Sequence, residues 1–229
     1  MIELRHVSVI YPDADAPALD DIDLSIRDGE FVFIIGDSGA GKSTLLRLLL
    51  GEQRPSSGEI LVDDRNIGAL KKRELPYHRR QFGVVFQDFR LFQEETVYQN
   101  VAYAMRVLAA RKRTIAKRVP MALSLVGMEG KAESYPPQLS GGEQQRTAIA
   151  RAIVNGPMYL LADEPTGNLD PVNTEDVMLL LQHLAAKGTT VLVVTHDLAA
   201  VKRYGGRVLQ LKDGKLVRDA RIGGSHEIS

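Results

Sequence analysis

The 229-residue chain has no cysteine, which excludes disulfides, thiolate metal sites and cysteine nucleophiles. Net charge is absent too, with 29 Lys and Arg against 29 Asp and Glu. That balance gives no support to a nucleic-acid polyanion as main partner, although it leaves local basic patches open. No uninterrupted apolar run approaches the ~18 residues of a membrane span. The opening Met1-Ile2-Glu3-Leu4-Arg5-His6 is not a basic segment followed by an apolar one, as a secretory leader would be. The expectation is a soluble, cytoplasmic chain unless a partner holds it at a membrane. Internal repeats and low-complexity segments are also lacking. The length suits one α/β domain or a domain with a sizeable insertion.

What the chain does contain is organised around Gly36-Asp37-Ser38-Gly39-Ala40-Gly41-Lys42-Ser43-Thr44. The apolar run Phe31 to Ile35 precedes it and a leucine-rich segment from Leu45 to Leu50 follows. It fits G-x-x-x-x-G-K-[ST] between a strand and a helix, the setting a phosphate-binding loop requires. Glycines let the backbone fold tightly enough for N–H groups to point at phosphate oxygens, and the helix start adds its positive dipole end. Gly36, Ser38, Gly39, Ala40, Gly41, Lys42, Ser43 and Thr44 are therefore the candidate phosphate contacts. Lys42 would reach the β- and γ-phosphates, and the Ser43 hydroxyl would help hold Mg²⁺.

Strands are expected over 2 to 11, 19 to 26, 31 to 35 and 59 to 62, the second with apolar–acidic alternation. Tyr11 closes the first, where its ring could stack on a base or simply pack. Lys71 to Arg80 is strongly basic; Phe82 to Phe86 is another apolar strand, ending in Gln87-Asp88. Gln87 suits a group touching metal or water at the sheet's carboxyl edge, and equally a plain loop residue. From 90 to 135 helical spacing takes over, with Arg111-Lys112-Arg113 and Lys117-Arg118 reading first as a solvated face and second as a contact for anionic lipid.

Pro136-Pro137 breaks the chain before Leu139-Ser140-Gly141-Gly142-Glu143-Gln144-Gln145-Arg146, which leads into a helix from Thr147 to Val154. A serine and two glycines at a helix start make a second anion nest or an ordinary cap. One nucleotide hardly needs both nests within one chain. The apolar strand from Met158 then ends in Asp163-Glu164; the first carboxylate can bind Mg²⁺ and the second can orient and polarise water. A turn over Asn168-Leu169-Asp170 follows. The buried strand 191 to 195 delivers His196 to the same edge, where a lone histidine is otherwise structural. A hairpin over 207 to 218 and a short polar tail, 223 to 229, complete the chain.

Over essentially its whole length this order resembles the ATP-binding cassette (ABC) ATPases. The resemblance rests on the phosphate loop, Gln87, Leu139 to Gln144, Asp163-Glu164, Asn168 to Asp170 and His196. It implies a phosphate-loop NTPase: a RecA-like core and N-terminal antiparallel β subdomain over 1 to 87 and 156 to 222, with an inserted α-helical subdomain near 88 to 155. It further implies an ATP-dependent head-to-tail homodimer with ATP sandwiched between one chain's phosphate loop and the other's Ser140, Gly141 and Gly142. Tyr11 would stack on adenine, while Ser43, Gln87 and Asp163 would arrange Mg²⁺. Glu164 would be the catalytic base and His196 would contact the γ-phosphate, with Lys42 and Gln87 completing the catalytic set. Asp170 would couple the two sites.

Within the family, Phe86-Gln87-Asp88-Phe89-Arg90-Leu91 most tellingly resembles the cell-division branch, while Glu164-Pro165-Thr166-Gly167-Asn168-Leu169-Asp170 is shared with lipoprotein-release and macrolide-efflux ATPases. That branch implies a hydrolase that pairs with the membrane protein FtsX, and with further cytoplasmic division proteins, at the septum. An ATPase subunit for lipoprotein release or efflux is the alternative; a phosphate-loop kinase has no use for Leu139 to Gln144. Asp37, Asp63-Asp64 and Phe92 to Glu95 depart from the usual pattern without removing a catalytic group.

Overall fold

Alternation along each strand decides which of two cores it serves. A computed structural model describes residues 1–12 and 15–223, so the expected polar tail, apart from Gly223, lies outside the described residues. In β3 (Phe31–Ile35), Phe33 and Ile35 face one core while Val32 and Ile34 face the other. The same division holds in β7 (Tyr159–Asp163) and β8 (Thr190–Val194): Leu160, Ala162, Val191 and Val193 face one way, Tyr159, Leu161, Leu192 and Val194 the other. Strands buried on both faces read as continuous apolar runs, and these do.

They belong to a six-stranded sheet in which β6 (Phe82–Val85), β9 (Gly206–Lys212) and β10 (Lys215–Ile222) join in the order β10-β9-β3-β8-β7-β6. All neighbours are parallel except β9 with β10. A second, antiparallel sheet is formed by β1 (Ile2–Val9), β2 (Leu19–Ile26), β4 (Ser57–Val62) and the short β5 (Arg65–Asn66), in the order β2-β1-β4-β5. Its inward residues, together with Leu45, Leu48 and Leu49 of α1 (Lys42–Leu49), cover one face of the parallel sheet. Helices cover the other face. Between β6 and β7 the chain carries α3 (Val97–Val107), α4 (Lys112–Leu125) and α5 (Gly141–Ile153); after β7 come α6 (Pro171–Ala186) and α7 (Leu198–Tyr204). The expected α/β class, with an antiparallel N-terminal sheet and a helical region, is the architecture adopted.

Several boundaries differ from expectation for local reasons. The first strand stops at Val9 rather than 11, because Val9 O accepts from Ala18 N while Ile10 N turns to Ser56 Oγ. The helix expected from Thr147 starts at Gly141: Ser140 Oγ accepts from Glu143 N, and Glu143 Oε2 accepts from Ser140 N, a reciprocal cap that overrides the poor helix propensity of two glycines. The basic segment 71 to 80, for which no element is expected from spacing, contains the short α2 (Leu75–Arg79). Residues 88–96 remain irregular until Thr96 caps α3. The hairpin runs on to Ile222. Asp63 and Asp64, where a glycine is common, both take positive φ, a conformation aspartate tolerates better than most side chains.

Parallel pairing of β3, β8, β7 and β6 brings their C-terminal ends to one edge, so Gly36, His196, Asp163-Glu164 and Gln87 are delivered side by side. The helix behind the phosphate loop is anchored by Leu48, which is fully buried. Leu48→Ala is expected to destabilise the fold by about 2–5 kcal/mol through the cavity it leaves, read from the shift of the urea midpoint at unchanged m-value.

Candidate functional site

The loop after β3 is shaped by backbone that only glycine can supply. Gly36, Gly39 and Gly41 have φ of 154°, 82° and 104°. A Cβ on Gly36 would lie 2.3 Å from Leu211 O, and one on Gly41 would lie 2.5 Å from Ala18 O. The loop therefore threads between β9 and the start of β2 with no room for a side chain at either point. At Gly39 nothing lies within 4 Å, and only the left-handed φ demands glycine. Lys42 Nζ donates to Gly36 O (2.5 Å) and Asp37 O (2.8 Å), which holds the ammonium over the loop. Ala40 is buried within the loop, Ser38 and Ser43 are exposed, and Thr44 Oγ1 lies 3.3 Å from Tyr11 Oη. Tyr11 thus stands at the first turn of α1, beside the loop.

Across the sheet edge, Glu164 has φ of 47° and Oε1 2.8 Å from His196 Nδ1. His196 is largely exposed, and the hydrogen bond and charge of Glu164 hold its imidazole above the usual value. Asp163 is half-buried, and burial together with the Glu164 charge pushes its carboxyl up, against a smaller opposing effect of Lys42 and Arg90. Lys42 acts electrostatically on both Asp163 and His196, so four predicted groups share one field. Gln87 is exposed beside them; its main-chain oxygen accepts from Asn168 Nδ2 at 3.0 Å.

The second nest is built differently and stands on other elements. Ser140 caps α5 and is exposed, Gly141 lies near Leu169, and a Cβ on Gly142 would fall 1.8 Å from Asn173 Oδ1. Asn173 in turn donates from Nδ2 to Asp170 Oδ2 at 2.6 Å. Asp170 Oδ1 also caps α6, accepting from Val172 N and Asn173 N, which holds its carboxyl below the usual range. Ser140, Gly141, Gly142 and Asp170 are therefore brought together, and the phosphate loop, Tyr11, Asp163, Glu164 and His196 form a separate group. Among the described residues, no hydrogen bond or ion pair joins residues 139–142 to 36–44.

Three residues that connect these parts have no signal in local spacing. Arg151, near the C-terminal end of α5, donates to Arg90 O (2.6 Å) and Phe89 O (2.8 Å), fixing two consecutive residues at positive φ just beyond Gln87. Burial lowers its guanidinium pKa. Arg90 lies with its guanidinium carbon 3.8 Å from the Phe86 ring centroid. Gln145, fully buried on α5, donates to Pro165 O at 2.6 Å, and Asn173 fills the space over Gly142. The helix carrying the second nest is thus tied to the loops after β6 and β7.

A family model described as ABC transporter matches residues 19–167. The cell division ATP-binding protein FtsE of Mycobacterium tuberculosis is 52% identical over 223 residues, 97% of each chain. The chain belongs to the ABC ATPases, in their FtsE branch. FtsE of Bacillus subtilis is 45% identical over 97% of both chains, and that of Escherichia coli K12 is 47% identical over 94% of this chain and 97% of its own. Among solved structures, the dimeric ATP-binding cassette MJ0796 with ADP and phosphate superposes with TM-score 0.86 at 38% identity, covering 98% of this chain and all of its own. CbiO1 of Clostridium perfringens gives 0.89 at 34%, over 96% and 87%. The activity is ATP hydrolysis.

Two outcomes follow from the geometry. His196 should titrate above the ordinary ~6.5 of an imidazole and fall back toward it in Glu164→Gln, followed by NMR of the ring protons. Because the pairing raises the folded-state value, its stabilisation is complete below the unfolded pKa and is lost as pH rises through the raised one. Arg151→Met should quicken amide exchange across 88–91 and lower kcat by roughly tenfold with ATP affinity retained, since two hydrogen bonds from a charged donor are lost.

Proposed function

We propose that this ATPase is the nucleotide-hydrolysing subunit of a bacterial cell-division complex, held on the cytoplasmic face of the cell membrane at the septum by an integral partner of the FtsX type. The observation that carries the reading is end-to-end relatedness: FtsE proteins at 45–52% identity align over 97% of both chains. Among the described residues no helix is long and apolar enough to cross a membrane, so a membrane role for this chain calls for a partner. Residues 71–100, which flank Gln87, are where that partner is expected. Transmission of ATP-driven motion through it to peptidoglycan hydrolases, with further division proteins on the cytoplasmic side, completes the proposal.

The separation of the two nests supports a dimer. Ser140 to Gly142 is exposed at Ser140 and has no phosphate loop against it in its own chain, whereas a second copy packed head to tail would supply one. MJ0796, 38% identical, is described as dimeric with its products bound. In this arrangement Lys42 binds the β- and γ-phosphates, Tyr11 stacks on adenine, and the partner's copy of the second nest closes over the γ-phosphate. Asp170, which orders Asn173 under Gly142, couples one nest to the other site.

The residues present fit Mg²⁺. Ser43, Gln87 and Asp163 offer only oxygen donors of the kind hard cations take, and the raised carboxyl of half-buried Asp163 would be relieved by a cation. Bound there, Mg²⁺ neutralises charge on the phosphate oxygens. Glu164 orients the attacking water and accepts its proton, and His196, 2.8 Å from that carboxylate, holds it in place and reaches the γ-phosphate. ATP binding favours the closed dimer and hydrolysis releases it, a two-state clamp that a membrane partner can read.

Glu164→Gln tests chemistry and partner together. Turnover should fall by about 10²–10⁴-fold with ATP binding retained, and size-exclusion chromatography with ATP should show a trapped dimer. Full hydrolysis would remove Glu164 as base. Gentle-detergent capture of the tagged variant from its own cells should recover an FtsX-type membrane protein whose loss impairs septation. Recovery of lipoprotein-release or efflux machinery instead would leave the catalytic assignments standing and move the function to transport.

A further inference from the structure

Two side-chain amides, Asn100 and Gln145, are fully buried on the helical side of the molecule, and they are used differently. Asn100, on α3, engages both ends of its amide: Oδ1 accepts from Phe92 N, and Nδ2 donates to the carbonyls of Phe92, Glu95 and Thr96. Gln145, on α5, makes one contact. Its Nε2 donates to Pro165 O at 2.6 Å, while Oε1 is buried with no hydrogen-bond partner among the described residues. An acceptor left in that state costs stability, and a methionine would fill the same space without it. Packing alone therefore does not account for an amide at this position.

What Gln145 holds is the residue that follows Glu164. Glu164 stands at φ 47°, in the left-handed region, which a side chain other than glycine keeps only where its surroundings impose it. On its N-terminal side the constraint is Val194 O, which accepts from Glu164 N at 2.9 Å. On its C-terminal side comes a buried proline, whose ring fixes φ and which has no N–H to give. With the peptide bond planar as well, only two soft torsions separate the Glu164 Cα from the Pro165 carbonyl. Gln145 takes hold of that carbonyl, and among the described residues no main-chain N–H competes for it. The same stretch runs past Gln87, since a Cβ on Gly167 would lie 2.9 Å from Gln87 Nε2. Gln145 itself stands one helical turn after Gly141, in the helix that Ser140 caps.

We propose that Gln145 is a positioning residue for Glu164: by fixing the Pro165 carbonyl it sets the backbone from which the carboxylate reaches its water, and it ties that backbone to the helix that begins at the second nest. The assignment rests on Glu164 as the base, proposed above. The one hydrogen bond that Gln145 makes reaches neither the phosphate loop nor Tyr11, so its loss should act on turnover and spare nucleotide affinity.

The test is Gln145→Met in the full chain, which keeps the length of the side chain and removes the donor. The kcat should fall about tenfold, the worth of one well-made buried hydrogen bond, with ATP affinity and KM within about twofold of the parent. Amide exchange at Gly167 should quicken in this variant and keep the parent rate in Arg151→Met, which frees α5 from Phe89 and Arg90 but leaves Pro165 held. Gln145→Glu keeps the outline of the amide and turns an oxygen toward Pro165 O; it should lose more turnover than Gln145→Met, and it reports in its place if methionine prevents folding. Added to Glu164→Gln and followed in single turnovers, Gln145→Met should cost nothing further, because both act through one carboxylate. A second tenfold loss in that double variant, an unchanged kcat in both Gln145 variants, or equally fast exchange at Gly167 in Arg151→Met would overturn the proposal. Full hydrolysis by Glu164→Gln is the separate failure of the base assignment, in which Gly167 exchange would still respond to Gln145→Met.

Discussion

Parallel pairing of β3, β8, β7 and β6 is the constraint on which the rest depends. It sets four strand ends on one edge, so that a backbone nest, an imidazole, an adjacent pair of carboxylates and an amide arrive together from four separate stretches of the chain. Both faces of those strands are buried, one by the antiparallel sheet and α1, the other by the helices. A strand sealed on both sides has little freedom to slide, because a one-residue slip would exchange the two sets of inward side chains. Precision at the edge is thus inherited from packing well below it.

The helical side adds a second kind of order. Where the phosphate loop is held by close backbone approach, with Gly36 on Leu211 and Gly41 on Ala18, the nest at Ser140 is held by side chains: Glu143 closes its cap and Asn173 fills the space over Gly142. Arg151 and Gln145 bind the same helix to the loops that carry Gln87 and Pro165. Each contact is a hydrogen bond from a buried or half-buried group, expensive to leave unmade, so α5 and these loops are expected to move as one piece.

Charge is distributed on a third principle. The catalytic edge mixes signs closely, Lys42 beside Asp163 and Glu164 beside His196, which keeps its field local. The α2–α4 region instead accumulates one sign and leaves it facing solvent among exposed aliphatic side chains. Arg79 uses its charge to bond the main chain at Leu50 and Gly51, whereas the cations at the start of α4 oppose the helix dipole.

By itself the sequence determined what depends on contiguous residues. The phosphate loop is legible from 36 to 44 because its conformation is set by glycines within it and by the strand and helix it joins. The buried strands, the Asp163-Glu164 ending and the Ser140 cap are legible for the same reason, whereas the helix start at Gly141 is obscured by glycines whose propensity a reciprocal cap outweighs. Tertiary structure decided which of these meet. Glu164 and His196 pair across 32 residues because β7 and β8 are neighbours, and Arg151 reaches Phe89 across 62 because α5 packs behind β6. Strand order and helix packing are choices among long-range pairings of similar local cost, and no local spacing encodes them.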